Sequence, residues 1–177
     1  MHPLWKADRN NYPVMTTDPP EKRFICDRMA GSLCKYLRFM GYDCKSANDL
    51  PSGNPREDTM ILQIAREENR YILTQDAELA RRGENLALRL VSSELGDQII
   101  QLVHADLIIP EIRLTRCSQC NALLIEGPSL LNQQNLTPVS TPLVHCPVCH
   151  RQYWEGTHTQ NMRKNLDQII EKIDKTT

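Results

Sequence analysis

Residues 23–41 read RFICDRMAGSLCKYLRFMG and change from a strand pattern to a helix pattern within a few positions. The first four residues are a short strand candidate that ends just before Asp27. From residue 28 the apolar side chains recur at helical spacing, and an arc of about 100° holds Met29, Leu33, Tyr36, Leu37 and Met40. Gly41 is predicted to end this helix. The stretch therefore predicts a strand followed by an amphipathic helix over 28–41.

The alternation of strands and helices continues to about residue 104. Helical patterns cover 57–68, 77–82 and 95–104, and strand patterns cover 70–74 and 88–91. Strands separated by helices form right-handed crossovers and mostly parallel sheets, so the fold class is predicted as α/β. Ligands of such sheets bind at the carboxyl ends of the strands.

Four of the seven cysteines form two C-x-x-C pairs, Cys117/Cys120 and Cys146/Cys149, with 25 residues between them. Two such pairs are typical of a structural Zn²⁺ held tetrahedrally by four thiolates, and they fit a redox dithiol poorly. Flanking histidines at 145 and 150 are interpreted as neighbours of the zinc site rather than ligands.

The remaining cysteines, Cys26, Cys34 and Cys44, are isolated in the sequence. They are predicted to be buried apolar positions. An odd number of cysteines does not suit a disulfide framework, so a reducing compartment, the cytoplasm, is expected.

Composition and charge exclude several classes of protein. The chain has 177 residues, of which 40% are hydrophobic and 24% charged, as in globular proteins. A net charge of -1 excludes a protein held to nucleic acid by bulk charge alone. No run approaches the ~20 apolar residues of a membrane span, and residues 1–22 lack the apolar core of a signal peptide.

The chain divides into four segments. Residues 1–22 contain charges and four prolines and are predicted to be a flexible extension. Residues 23–111 form the α/β domain and carry eleven basic and fourteen acidic side chains. Residues 112–159 hold the paired cysteines and a polar loop over 129–141. Residues 160–177 are predicted to form a helix that packs on the body of the protein.

Three aspartates stand at the predicted functional edge. Asp27 and Asp76 each follow a strand, and Asp58 opens the second helix. Carboxylates that converge repel one another, and a divalent cation such as Mg²⁺ or Mn²⁺ is the usual compensation. Such a site can activate water for attack on a phosphodiester. The alternative is that each aspartate caps a helix.

Basic residues follow the first aspartate along the same helix. Arg28, Gly31, Lys35 and Arg38 fall within an arc of about 80°. A cationic stripe beside an acidic pocket is suited to binding a phosphate backbone, so Arg28, Lys35 and Arg38 are candidate substrate-binding residues. The alternative is a solvated helix face. Arg81 and Arg82 form a second, weaker basic spot.

Several motifs together carry a family resemblance. Residues 24–43, the pattern Asp58-x-x-Ile61-Leu62-x-x-Ala65, residues 72–76 and the run Tyr153-Trp154-x-Gly156-Thr157-His158 recur in the order seen in the Mut-seven C-terminal RNase family. The resemblance covers about residues 23–162. It implies a PIN-like three-layer domain with a mostly parallel sheet, followed by a Cys₄ zinc ribbon and a C-terminal helix. It also implies metal-dependent RNA cleavage, with Asp27, Asp58 and Asp76 as the Mg²⁺ or Mn²⁺ ligands.

The chain departs from the family pattern at the predicted site. Gln75 stands where the family usually has an arginine before the third acid. A fourth acid, common in PIN-like sites, has two candidates, Glu94 and Asp97. After the ribbon, Tyr153, Trp154 and His158 are candidates for contact with bases or phosphate. For Trp154 the favoured interpretation is instead that it packs the ribbon against the first domain, and for His158 a hydrogen bond to the backbone is an equal alternative.

These observations favour a metal-dependent ribonuclease with RNA as its partner. The alternative is a non-catalytic nucleic-acid-binding or adaptor protein built on the zinc ribbon, which would bind RNA with salt-dependent affinity and cleave nothing. A third possibility is a nuclease of the same fold that acts on DNA, because the sequence shows no device for reading the 2′-hydroxyl.

Overall fold

The computed structural model describes residues 22–51, 56–127 and 143–176. The predicted N-terminal extension, apart from residue 22, and the predicted polar loop over 129–141 lie outside the described residues.

Strands and helices alternate through the first two thirds of the chain. The strands are β1 Arg23–Cys26, β2 Asp43–Ser46, β3 Arg70–Thr74, β4 Ala87–Arg89, β5 Ile125–Glu126, β6 Leu143–His145 and β7 Gln152–Trp154. The helices are α1 Gly31–Phe39, α2 Glu57–Glu68, α3 Ala77–Gly83, α4 Leu95–His104 and α5 Thr157–Thr176. Short 3₁₀ turns lie at Arg28–Ala30, Ala47–Asp49 and Glu84–Leu86.

The first sheet has the strand order β2-β1-β3-β4, and all three strand pairs are parallel. In the central strand β1, Phe24, Ile25 and Cys26 are all buried. A continuous apolar run of this kind is typical of a parallel strand that is covered on both faces. The sheet therefore confirms the predicted mostly parallel α/β fold.

Helices cover both faces of this sheet and make three layers. On one face, Phe24 and Leu73 pack with buried residues of α1, α4 and α5. On the other face, Ile25 and Ile72 pack with residues of α2 and α3. The cluster on the face covered by α1, α4 and α5 is called the first core below. Helix α5 begins at Thr157, so the predicted boundary between the cysteine-bearing segment and the C-terminal helix, at residues 159 and 160, falls inside this helix.

The turn between α1 and β2 depends on Gly41, which has φ +90°. A Cβ atom at this position would lie 2.8 Å from Thr115 Oγ1, so only glycine suits both the backbone angle and the close approach. The helix ends at Phe39, as Gly41 predicts. Met29 differs from the prediction, because it lies in the 3₁₀ turn before α1 and is 74% exposed.

Strand β2 is absent from the sequence prediction. It has only four residues, two of them charged, and pairs with β1 alone at the edge of the sheet. Its alternate residues Cys44 and Ser46 are buried. A half-buried edge strand of this length gives little hydrophobic signal.

The second sheet is antiparallel and small, with the order β5-β6-β7. It joins the first domain through an edge-to-face contact between Phe39 and Tyr153, whose ring centroids are 6.2 Å apart. Asn121 adds polar contacts, since its Nδ2 donates to Asp43 Oδ1 (2.7 Å) and its Oδ1 accepts from the Cys44 amide (3.1 Å). Among the described residues, no helix is both long and apolar enough to cross a membrane.

Candidate active site and cysteine metal centre

Asp27 and Asp76 lie at the carboxyl edge of two neighbouring parallel strands. Asp27 directly follows β1, and Asp76 follows β3 after one intervening residue. The register pairs Cys26 with Leu73, and the Asp27 amide donates to the Leu73 carbonyl at 3.1 Å. The two aspartates therefore occupy the edge at which parallel sheets bind ligands.

Asp27 is only 8% exposed, and three donors hold its carboxylate. Its Oδ1 accepts from the Ala30 amide at 3.0 Å, which caps the 3₁₀ turn. Its Oδ2 accepts from the Thr74 hydroxyl and from the Gln75 amide, the latter at 3.2 Å. These contacts fix the orientation of the carboxylate toward β3.

Thr74 connects the two aspartates. Its hydroxyl donates to Asp27 and accepts from the Asp76 amide at 2.9 Å, and the residue is fully buried. Asp76 in turn caps α3, because its Oδ1 accepts from the Leu79 amide at 2.7 Å. Thr74 was not predicted as a site residue, although its place at the end of β3 between the two acids was visible in the sequence.

Capping and a role in metal binding are compatible for these aspartates. Each uses one oxygen to cap its own turn, as the alternative interpretation expected. A carboxylate has about four lone-pair positions, so capping leaves capacity for a further ligand. Within the described parts of the chain, no donor contacts the second oxygen of Asp76, and that residue is exposed.

The structure does not place Asp58 with the other two. Asp58 lies in the first turn of α2, is 48% exposed, and faces Arg82 of α3 at 3.7 Å. Two groups of three or more metal-binding side chains have ligand atoms within 4.8 Å of one another in the described residues, and both consist of cysteines. The expected convergence of the three aspartates at ligand distance is therefore not observed.

The two candidates for a fourth acid lie at the start of α4. Glu94 is exposed and directly precedes this helix, whereas Asp97 lies in its first turn and is linked to the loop after β3. The Ser92 hydroxyl donates to Asp97 Oδ2 at 2.9 Å. The Ser92 carbonyl accepts from Gln75 Nε2, also at 2.9 Å. Gln75 thus connects the loop after β3 to the segment before α4.

The predicted basic stripe is broken in the structure. Arg28 pairs with Glu57, with both Nε–carboxylate distances at 2.9 Å, and Lys35 is exposed. Arg38 is only 3% exposed and donates to the carbonyls of Cys44 (2.8 Å), Gln119 (2.8 Å) and Ser118 (3.1 Å). This side of α1 is covered by the segment that carries the four paired cysteines and strands β5–β7, called the ribbon below. The prediction that Arg38 binds RNA is therefore wrong.

The two C-x-x-C pairs come together as predicted. The four Sγ atoms of Cys117, Cys120, Cys146 and Cys149 lie within 4.8 Å of one another. The Cys117–Cys149 and Cys120–Cys146 Sγ distances are both 3.4 Å. Amides of Val148 and Cys149 point at Cys146 Sγ, at 3.4 and 3.3 Å. Four thiolates in this arrangement can form a closed structural zinc site.

Tyr153 supports this cysteine group from β7. Its hydroxyl lies 3.2 Å from Cys117 Sγ and accepts from the Ser118 amide at 3.1 Å. Burial alone would raise the pKa of Cys117, but hydrogen bonds from Tyr153 and from backbone amides lower it to about 6. Tyr153 is buried, so it packs the ribbon against α1 and is not a surface for bases.

The other residues of that run lie at the surface. Trp154 is 47% exposed, and the aromatic contact with Phe39 of the first domain comes from Tyr153. His158 is exposed and lies edge-on to Phe39, with ring centroids 6.4 Å apart. His145 contacts the Gly127 carbonyl through Nδ1 at 2.8 Å and is outside the cysteine group.

Comparison with protein-family models gives a match. A family model described as Mut7-C RNAse domain matches residues 22–166. The match spans the parallel sheet, the paired cysteines and the first half of α5, and it contains Asp27, Asp58 and Asp76. A search of curated proteins and a search of solved structures each returned no match.

Proposed function

Because the chain belongs to the Mut7-C RNAse domain family, we propose that it is a divalent-metal-dependent ribonuclease that acts at the edge formed by Asp27 and Asp76. The observation that carries this proposal is the Thr74 hydroxyl, which links the Asp27 carboxylate to the Asp76 backbone amide at the carboxyl ends of adjacent parallel strands. Membership of this family confirms the resemblance that the sequence motifs show.

The two carboxylates suit Mg²⁺ or Mn²⁺. These ions prefer hard oxygen ligands, and Mg²⁺ keeps several waters, so one or two carboxylates are enough to hold it. When bound, such an ion lowers the pKa of a coordinated water and stabilises negative charge on a phosphate. In this proposal Asp27 is the preoriented ligand, and Asp76 is the more accessible one.

Asp58 and Asp97 complete the proposed acidic surface at longer range. Asp58, in the first turn of α2, extends this acidic surface. In the proposal it contacts the metal through a water molecule and is not a direct ligand beside Asp27. Between the two remaining candidates for a fourth acid, the contact through Ser92 and Gln75 favours Asp97 over Glu94.

RNA contacts are proposed on both sides of the acids. Lys35 is the exposed cation of α1, and Arg28 lies next to Asp27 and is paired with Glu57. A cleft between α2 and α3 is lined in part by Arg66, Arg81 and Arg82. Arg81 is paired with Glu78 and Arg82 with Asp58, and Glu67 and Glu84 also line the cleft. Basic groups that flank an acidic site position a phosphate backbone for cleavage.

Exposed apolar side chains at the same edge support contact with bases. Met29 follows Asp27 and is 74% exposed, and Val91 follows β4 and is 84% exposed. Unstacked bases of single-stranded RNA would supply the matching apolar faces.

The proposed zinc of the ribbon has a structural role. Four thiolates leave no open coordination position, so this ion would hold the ribbon and not take part in hydrolysis. All seven cysteines are free thiols in the structure, and we propose the cytoplasm as the compartment that keeps them reduced.

The proposal is tested with the full chain and a 5′-labelled single-stranded RNA. Cleavage should require Mg²⁺ or Mn²⁺, stop with EDTA, and fall by at least about 100-fold in Asp27→Asn and Asp76→Asn, since even outer contacts to a metal ligand cost 10–100-fold. Asp167→Asn, on the exposed face of α5, is the matched control and should cleave normally.

The outcomes separate the competing functions. Cleavage that survives in Asp27→Asn or in EDTA would contradict the metal site. RNA binding without cleavage at any metal concentration would support the adaptor alternative. A DNA strand of the same sequence, cut faster than the RNA, would move the assignment to a DNA nuclease.

A further inference from the structure

Three cysteines that are isolated in the sequence meet inside the first core. Cys26 comes from β1, Cys34 from α1 and Cys44 from β2. Cys44 Sγ lies 3.5 Å from Cys26 Sγ and 3.3 Å from Cys34 Sγ, and all three sulfur atoms lie within 4.8 Å of one another. Their exposed fractions are 0%, 2% and 0%.

The spacing of this group matches that of the ribbon cysteines. The short sulfur–sulfur distances are 3.3 and 3.5 Å in the core and 3.4 Å in the ribbon. A Zn–S bond of ~2.3 Å in a tetrahedron separates neighbouring sulfurs by about 3.8 Å. In both groups these two short distances fall a few tenths of an ångström below that value, and every other sulfur pair lies within 4.8 Å.

The surroundings add oxygen and positive charge. The Lys45 carbonyl lies 3.7 Å from Cys34 Sγ and 3.6 Å from Cys44 Sγ. The buried Arg38 guanidinium donates to the Cys44 carbonyl at 2.8 Å. Three thiolates and one divalent ion leave a net charge of −1, and the nearby Arg38 guanidinium, which also pairs with Asp49 at 3.4 Å, brings positive charge to this buried group.

We propose that Cys26, Cys34 and Cys44 form a second metal site, which binds a thiophilic divalent ion of the Zn²⁺ class. Thiolate ligands select such ions over Mg²⁺ or Ca²⁺, so this site and the carboxylate edge bind different metals. The ion joins β1, α1 and β2 at one point. Because Cys26 directly precedes Asp27, the bound ion also fixes the end of β1, the strand that leads to Asp27.

A disulfide fits this group less well. The register pairs Cys44 with Phe24, so Cys26 and Cys44 are diagonal neighbours on parallel strands. Diagonal positions are separated by about 7–8 Å between Cα atoms, beyond the ~6.8 Å limit of a disulfide. Burial also keeps oxidants away from the thiols. A bond between Cys34 and Cys44 is included as an outcome of the test.

The test counts metal ions in the full chain. The wild-type chain, purified under reducing conditions, is loaded with Zn²⁺, separated from free metal, and measured by mass spectrometry of the metal. Co²⁺ is then titrated in place of Zn²⁺, and the thiolate-to-cobalt absorption is followed to its end point. The variants are Cys34→Ala/Cys44→Ala and, as the matched ribbon control, Cys146→Ala/Cys149→Ala.

The proposal predicts two ions per wild-type chain and one in each double variant. One ion in the wild-type chain, or two in Cys34→Ala/Cys44→Ala, would overturn it. If a double variant does not fold, X-ray absorption of the zinc-loaded wild-type chain decides the matter, because one four-sulfur and one three-sulfur site give an average sulfur count below four. An intact chain that is lighter by two hydrogens, with Cys34 and Cys44 linked, would also overturn the proposal.

Discussion

Replacing Arg38 with methionine is expected to destabilise the fold without removing an RNA contact. The Arg38 side chain is 4% exposed, and its guanidinium joins α1 to β2 and to the first cysteine knuckle of the ribbon. Methionine preserves much of the apolar stem and removes all three hydrogen bonds to carbonyl groups. The change therefore separates the structural role of this residue from the RNA-binding role that helical spacing alone suggests.

The magnitude follows from the three acceptors. A hydrogen bond from a charged donor stabilises a protein by about 1.5–3 kcal/mol. Removing the buried guanidinium also removes its desolvation penalty, which offsets part of that loss. We therefore expect the free energy of unfolding to fall by about 3 kcal/mol in Arg38→Met. Arg38→Lys should recover only part of it, because an ammonium cannot span three carbonyls in different directions.

The assay is denaturant unfolding of the full chain at fixed zinc concentration, with RNA binding measured by fluorescence anisotropy. Lys35→Met is the matched control on the exposed side of α1, and its stability should stay within about 0.5 kcal/mol of wild type. Lys35→Met should weaken RNA binding, whereas folded Arg38→Met should not. Unchanged stability together with lost RNA affinity in Arg38→Met would refute this reasoning.

Three further predictions concern pH, the ribbon and the acidic edge. Burial alone would raise the pKa of Asp43, but hydrogen bonds from Arg70 and Asn121 lower this pKa below its ordinary value. The ionised Asp43 carboxylate therefore stabilises the fold above the unfolded-state pKa, and this contribution is lost as the pH falls through the folded-state pKa. Asp43→Asn should flatten the acid side of a plot of unfolding free energy against pH, and an unchanged slope would count against the ion pair. Tyr153→Phe removes the hydroxyl beside Cys117 and should lower zinc affinity about 10- to 100-fold in a chelator competition; equal affinity would contradict a supporting role. Thr74→Val should lower kcat for RNA cleavage more than it raises KM, and Thr74→Ser should retain the wild-type kcat. A Thr74→Ser variant as slow as Thr74→Val, or no loss of kcat in Thr74→Val, would exclude the positioning role.

Much of the fold can be predicted from the sequence, because apolar runs and helical periodicity are properties of single short segments. The structure places β1, α2, β3 and α4 at the residues that the patterns predict, since apolar runs and helical periodicity in those segments correspond directly to buried faces. The grouping of the four paired cysteines is equally predictable, because C-x-x-C spacing already fixes each knuckle.

The parts that the sequence does not reveal depend on contacts between distant segments. Arg38 meets Ser118 across 80 positions, so its angle on the helix could not show that the ribbon covers it. Cys26, Cys34 and Cys44 are buried as predicted, but their meeting depends on the pairing of β1 with β2, a strand that the pattern does not reveal. Asp58 lies near the start of the predicted helix, and only the packing of α2 on α3 shows that it faces Arg82.

The central claim is that Asp27 and Asp76 act as one metal-binding edge. The most direct measurement is anomalous diffraction from crystals of the full chain grown with Mn²⁺. The account predicts a manganese peak bound by carboxylate oxygens of both aspartates, at the ~2.1–2.2 Å typical of oxygen ligands to such ions. A peak that contacts neither aspartate, or no peak at this edge at a Mn²⁺ concentration that supports RNA cleavage, would contradict it.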